Sequence, residues 1–191
     1  MDIKIKRAWS MPSGKTFSIK PIESFILKTV NDYRAKNKNA IIIDPFCGGR
    51  TNIADINNDL DPDKEADCHV DALEFLKMFK NSSVDGVLFD PPYSPRQISE
   101  IYRKLEKTVN METTQGSFWS KMKAEIMRIV KPNGFVFVCG WNSGGIGMKY
   151  DFNLNEILLV AHGGWHNDTI VTLEYRRPDT ASGHVSGSVE G

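Results

Sequence analysis

The chain reads as a three-layer α/β domain with a mostly parallel sheet. Three observations predict it. Short apolar runs rich in β-branched residues, Ala40 to Ile43 and Gly86 to Phe89 among them, alternate with stretches of helical spacing. These runs lack the apolar-polar alternation of a half-exposed sheet, which places them between two layers of helix. The segments richest in Asp, Asn, Pro and Gly follow the strands, at the carboxyl ends where ligands of such sheets bind.

Taken in order, Met1 to Lys20 reads as irregular or extended. Pro21 to about Ala35 carries Ile22, Phe25, Ile26, Leu27 and Val30 at helical spacing, with Pro21 suited to the first turn. Ala40 to Ile43 is a buried strand that opens into Asp44-Pro45-Phe46-Cys47-Gly48-Gly49. Ile53 to Ile56 and Cys68 to Val70 are strand candidates, and Ala72 to Phe79 is a short helix. Gly86 to Phe89 is a strand ending in Asp90-Pro91-Pro92-Tyr93. Residues 97–107 and 117–130 read as helices, the second stopped by Lys131-Pro132-Asn133-Gly134, and Phe135 to Cys139 is another strand. Glu156 to Ala161 and Thr169 to Tyr175 flank a turn from His162 to Asn167, as a closing antiparallel hairpin does. Pro178 to Gly191 is small and polar, so residues 1–177 are expected to form one domain and 178–191 a disordered tail.

With 191 residues, 40% hydrophobic and 25% charged, the chain suits a single core. No apolar run approaches the roughly 20 residues of a membrane span, and the start lacks a signal peptide's apolar centre, so a cytoplasmic protein is expected. Cys47, Cys68 and Cys139 form no C-x-x-C pair, which implies reduced thiols and no zinc framework. His162 and His166 lack a third ligand and fit a turn role; no metal is expected. The net charge is zero, with 24 basic and 24 acidic residues, and so lacks the overall field of a nucleic-acid binder. Locally the balance is lopsided: Lys4, Lys6, Arg7, Lys15 and Lys20 cluster at the start, while acids crowd between Asp55 and Asp71.

The chemistry concentrates in Asp90 to Tyr93. Two consecutive prolines fix φ near −65° and remove two N–H donors, leaving acceptors to face a ligand: the Asp90 carboxylate and nearby carbonyls. A planar base amine offers only donors, and its lone pair is delocalised into the ring. Accepting both of its N–H bonds returns electron density to the nitrogen as it attacks. Tyr93 supplies a face on which an extruded base can stack. Asp-Pro-Pro also occurs in plain turns, so the tetrapeptide gains meaning from the Asp44 to Gly49 segment upstream.

On the ordered pair Asp44-Pro45-Phe46-Cys47-Gly48-Gly49 and Asp90-Pro91-Pro92-Tyr93, the chain resembles the S-adenosylmethionine-dependent amino-methyltransferases of nucleic acids. The similarity spans residues 9–176 and is strongest to small DNA adenine-N6 methyltransferases of phages and prophages. It implies a Rossmann-like class I methyltransferase fold, S-adenosyl-L-methionine as cofactor and DNA as the expected partner. By the same resemblance Asp90, Pro91, Pro92 and Tyr93 are catalytic. Lys20 and Pro21, within Thr16 to Ile22, hold the methionine end of the cofactor. Asp44, Pro45, Phe46, Gly48 and Gly49 form the cofactor loop, and Asp44 receives its ammonium directly or through water. Asp59 accepts from the ribose hydroxyls, with Asn57, Asn58 and Asp61 as rivals. Asp71 accepts from the cofactor's adenine amine or simply caps a helix.

Two departures stand out. Between Gly49 and Asp59 there is no room for a full crossover helix, so the first crossover is shortened and parallel pairing there is left open. No separate target-recognition domain exists, so target choice falls to the loops at 94–96, 109–118 and 142–151, to a homodimer, or to a partner subunit. Alternatives remain: RNA adenine-N6, cytosine-N4 or a protein glutamine as acceptor, and an inactive cofactor-binding subunit. A nicotinamide site lacks its G-x-G-x-x-G at Gly48-Gly49-Arg50-Thr51-Asn52.

Overall fold

A computed structural model describes residues 2–92, 116–164 and 166–179. Seven strands form one sheet: β1 (Lys4–Trp9), β2 (Ile42–Asp44), β3 (Ile56–Asn57), β4 (Val84–Phe89), β5 (Val130–Gly140), β6 (Phe152–Ala161) and β7 (Thr169–Arg176). Their spatial order is β1-β6-β7-β5-β4-β2-β3. Only β7 runs against its neighbours β5 and β6; every other pairing is parallel. Strands β1 to β6 therefore end at one edge of the sheet, and β7 begins there.

Helices cover both faces. On one side α1 (Lys20–Lys36) buries Ile22, Phe25, Ile26 and Val30 against Phe135, Phe137, Leu158 and Val160. On the other, α2 (Ala72–Lys77) and α3 (Gly116–Ile129) set Phe75, Leu76, Met122, Ile126 and Ile129 against Val87, Phe89 and Val136. Each such fully buried large side chain contributes about 1.5–3 kcal/mol. All six residues of β4 are buried, which explains the apolar run Val87 to Phe89 at its carboxyl end, while Asp85 near its start is buried with partners of its own. No helix among the described residues is long and apolar enough to cross a membrane.

The three layers, the parallel sheet and the closing hairpin agree with the sequence expectations, and the differences have local causes. Residues 4–9, expected to be irregular or extended, form an edge strand paired with β6. Ile53 to Ile56 shrinks to the two-residue β3, and Cys68 to Val70 contributes an isolated parallel bridge between Asn58 and Cys68. No helix intervenes between β2 and β3, yet the two strands pair in parallel: Arg34 ties this crossover to α1 through Asp55 at 2.8 Å, while Asp55 also accepts from Ile42 N–H.

The segment Lys131 to Gly134, read as a stop, belongs to β5, which follows α3 without a connecting loop. Val130 pairs with Val84, and the register shifts before Phe135 meets Gly86. Asn133 takes up the kink at φ 64°, and a Cβ on Gly134 would lie 2.7–2.8 Å from Val130 Cγ1 and two carbonyl oxygens. Tyr93, the helix expected at 97–107, the loops at 94–96 and 109–115, and the tail beyond 179 lie outside the described residues.

Candidate functional site

The parallel pairing brings the ends of three strands together. Ile43 lies opposite both Ile56 and Val87, so Asp44 ends β2 beside the end of β3 and beneath the exit of β4. Asp44 is fully buried; its Oδ1 accepts from Phe46 N–H at 3.0 Å, and its Oδ2 has no hydrogen-bond partner. Burial raises its pKa well above the usual carboxylate value, and the charges of Asp90 and Asp59 add to the rise against the opposing Phe46 N–H bond.

The chain then turns through Gly48 at φ 57° and Gly49 at φ 123°, conformations that L side chains rarely adopt. A Cβ on Gly48 would meet no atom within 4 Å, so this backbone faces open space, whereas one on Gly49 would stand 3.1 Å from Lys15 Nζ. The loop is pinned from β3. Asp59 Oδ2 accepts from Gly48 N–H at 2.8 Å, Cys47 N–H donates to Asn58 O at 3.0 Å, and Asn58 Nδ2 donates to Pro45 O at 3.1 Å.

The rival residues separate on this geometry. Asn58 also spans to Val70, donating to its carbonyl and accepting from its N–H, while Asn57 holds Thr51 and Ala54; both are buried. Asp61 accepts from Asp63 N–H. Asp59 accepts from Asp61 N–H as well as Gly48 N–H, and a carboxylate retains further lone pairs for hydroxyl donors. Asp71 caps α2, accepting from Leu73 N–H at 2.9 Å.

Between this loop and the N-terminal segment lies a cleft of about 370 Å³. Its walls include Phe46 and Gly48 from the loop, Asp90 beyond β4, and Lys15, Thr16 and Ser18 from the segment before α1. Of the residues singled out from sequence, Phe46, Gly48 and Asp90 share this cleft. Asp44 lies outside its wall, as do Pro45, Gly49, Asp59, Asp71, Pro91 and Pro92. Lys20 and Pro21 open α1 at its first two positions, also outside the wall; the cleft is reached instead by Lys15 to Ser18. Arg50, Thr51 and Glu23 also line it and escaped the sequence argument. The one legible signal was the adjacency of Arg50 and Thr51 to the glycine pair, and Lys15, named only as part of a basic cluster, adjoins Thr16.

Asp90 is half-buried, Pro91 buried and Pro92 half-buried. Phe89 behind them packs edge-on against Phe46, centroids 5.7 Å apart, which couples the two loops. Burial pushes the Cys47 thiol up to about 11, so it stays protonated and is no nucleophile. His162 is buried, its ring bonded to Ser10 O at 2.9 Å and Thr169 Oγ1 at 2.8 Å, which is a turn role. Among the described residues no group of His, Cys, Asp or Glu could hold a metal ion.

No family model and no curated protein matches the sequence. Solved structures do match in shape. A candidate methylase from Haemophilus influenzae aligns at 13% identity over 81% of this chain and 98% of its own, with a TM-score of 0.50. TrmN from Thermus thermophilus aligns at 14% identity over 83% of this chain and 49% of its own, with a TM-score of 0.52. The fold is that of the class I methyltransferases.

S-adenosylmethionine, the methyl donor implied by this fold, carries a sulfonium, an ammonium and a carboxylate. The residues fit. Asp44 presents an unsatisfied buried acceptor behind the loop, which suits an ammonium or the water that bridges to one. Gly48 leaves the space a side chain would fill, and Lys15 supplies a cation for a carboxylate.

Proposed function

We propose that the protein transfers the methyl group of S-adenosylmethionine to the exocyclic amine of a nucleic-acid base, with N6 of adenine in DNA as the first expectation. The observation that carries this is the position of Asp90: it closes, from β4, the same cleft onto which the glycine loop opens from β2. A methyl donor held against Gly48 and an amine held by Asp90 are then neighbours.

When bound, the cofactor supplies an electrophilic methyl group on a positively charged sulfur. The chain's own part is positioning and electrostatics. The Asp90 carboxylate and the Pro91 carbonyl accept the two N–H bonds of the amine and orient its nitrogen for in-line attack. Positive charge grows on that nitrogen as the bond forms, so these acceptors stabilise the transition state more than the ground state. The methylated amine is acidic and gives up its proton late, to Asp90 or to water. Lys15, over Gly49, holds the cofactor's carboxylate end, while Arg50, ion-paired with Asp67 and Glu65, lines the same cleft. Asp59 fixes the loop and accepts from the ribose hydroxyls through its remaining lone pairs, and Asp71 accepts from the adenine amine beside its capping bond. Tyr93 stacks on the base.

Acceptors placed this way read an amine before they read a ring, so adenine N6 in RNA and cytosine N4 are the second choice. A cytoplasmic setting suits this substrate and the free thiols Cys47, Cys68 and Cys139. The test is labelled methyl transfer to DNA and RNA in parallel, read by mass spectrometry of the nucleosides. N6-methyladenine is expected, and Asp90→Ala should lower the rate about 100-fold or more. Undiminished transfer by that variant would refute the role of Asp90.

A further inference from the structure

The sheet continues past the cleft, and its carboxyl edge carries aromatic surface that no part of the transfer chemistry uses. From Asp90 at β4 the order runs to β5, β7, β6 and β1, so the rim passes Trp141 after β5 and reaches Trp9 at the end of β1. Four strand spacings of about 4.8 Å put Trp9 roughly 19 Å from Asp90, with Trp141 about one spacing away. Trp9 is 65% exposed, Met11 66% and Trp141 46%. Trp141 stands beside the cleft, and Trp9 and Met11 stand about three strand spacings further along the same edge, so exposed apolar groups mark both ends of this stretch of rim.

The far end of this stretch is held rigidly. Ser10 N–H donates to Ala161 O at 3.1 Å, and the buried His162 bonds both Ser10 O and Thr169 Oγ1. The Trp9 indole lies against the hairpin turn, where a Cβ on Gly163 would stand 3.5 Å from its Nε1. Trp9 is thus fixed by its backbone and one edge, with most of the ring left in solvent.

Charge indicates what covers it. On β1, Arg7 shares the face of Trp9, and neither Arg7 nor Lys4 makes an ion pair among the described residues, whereas Lys6 is tied to Glu156. Asp168, exposed before β7, is the opposing acid on this rim. A second copy paired edge to edge along β1 would bring the cations Lys4, Lys6 and Arg7 of one copy against those of the other, which like charges disfavour. A polyanion with exposed flat rings meets both features, and unpaired nucleotides carry a phosphate and a free ring in every residue, whereas a duplex keeps its rings stacked inside.

Resting on the function proposed above, we propose that Trp141 and Trp9 form a stacking rim for unpaired nucleotides flanking the target base, with Arg7 at their phosphates, so that the substrate is single-stranded or locally unpaired. The duplex is then the poorer substrate.

The test is fluorescence anisotropy of a labelled single-stranded DNA of about 12 nucleotides, its duplex, and the same sequence as RNA, against the full chain. Single strands should bind more tightly than the duplex, and Trp9→Ala and Trp141→Ala should each weaken them about 10-fold. Trp9→Phe should restore most of the loss, and Arg7→Ala should flatten the salt dependence by about one charge. Met78→Ala, equally exposed at the end of α2, serves as the control and should change nothing. Preference for the duplex, or tryptophan variants that bind single strands as wild type does, would overturn the proposal. So would a dimer that Trp9→Ala dissolves without loss of oligonucleotide. Binding without any methyl transfer would sink the proposed function and leave the rim; transfer to nucleic acid with both tryptophan variants unimpaired would do the reverse.

Discussion

Two buried aspartates, Asp85 and Asp44, stand at opposite ends of the parallel strands and are treated in opposite ways. Asp85, near the start of β4, is satisfied on every side: Oδ1 accepts from Tyr33 OH at 3.2 Å, and Oδ2 from Ile41 N–H at 2.9 Å and Lys131 Nζ at 2.7 Å. Asp44, at the end of β2, has one backbone N–H and an oxygen with nothing to bind. One carboxylate staples α1, β2, β4 and β5 together. The other bears an unmet demand for a donor, and it sits behind the cleft. A buried polar group left unsatisfied costs stability, so its persistence points to a ligand that satisfies it.

The sharpest test of this contrast is Asp85→Ala, with the largest expected effect. It strands a Tyr33 hydroxyl and the Ile41 N–H, and it frees Lys131, which is 38% exposed and recovers much of its hydration. A loss of about 3 kcal/mol is expected in denaturant unfolding, mostly from the two stranded donors and the lost packing. The neighbouring Tyr33 hydroxyl, pushed up to about 12 by burial and by Asp85, should ionise more readily in the variant, which ultraviolet titration reads. A variant as stable as wild type would mean that the staple holds nothing.

Gly48→Ala probes the other end with a smaller effect. A residue with a Cβ at φ 57° costs about 1–2 kcal/mol, and the methyl group would project into open space rather than into neighbouring atoms. Stability should fall by that amount while the fold survives. Binding of S-adenosylmethionine, measured by calorimetry, should fall well beyond what the strain explains. Full affinity with reduced stability would show that the loop turns without cradling anything.

How much of this was legible in the sequence follows the same division. Helix α1 was read nearly to its ends and β4 to its carboxyl end, because burial on every side writes itself as a clean helical period or an apolar run; the start of β4 was missed because Asp85, buried there, breaks that run. The edge strand β1 was read only as irregular or extended. Its alternation of Lys4, Ile5, Lys6 and Arg7 has little burial to enforce it, and it pairs with β6, about 150 residues away in sequence, which no local pattern encodes. The kinked start of β5 looked like a stop because Pro132, Asn133 and Gly134 carry turn chemistry; they serve a bulge instead.

Around the candidate site, Asp44, Gly48 and Asp90 could be named because each is chemically distinctive and lies at or just beyond the end of a strand, although only Gly48 and Asp90 line the cleft. Lys15 and Arg50 could not. Nothing in a lysine or arginine of a loop distinguishes a cleft wall from a solvated surface until the chain is folded. Asp59 was named for a ligand and is found holding the glycine loop, a reminder that an acid beside a site can serve its geometry first.

The smallest effect is the most specific to Asp44. An acid whose pKa rises on folding holds its proton more tightly in the folded chain than in the unfolded one. From the ordinary value of 3.8 up to the raised value, the folded state therefore carries the extra proton. Stability falls as pH rises through that window, and the penalty persists above it. Asp44→Asn removes the titration, so its stability should lose this downward slope and differ little from wild type at the acid end, where Asp44 is already neutral. Cofactor binding should reverse the trend in wild type, since a cation near Asp44 favours the carboxylate and expels the proton. Calorimetry in two buffers of different ionisation heat should then detect proton release with wild type and none with Asp44→Asn. If both release the same number of protons, the orphaned oxygen is not what the ligand answers, and the contrast with Asp85 is one of packing alone.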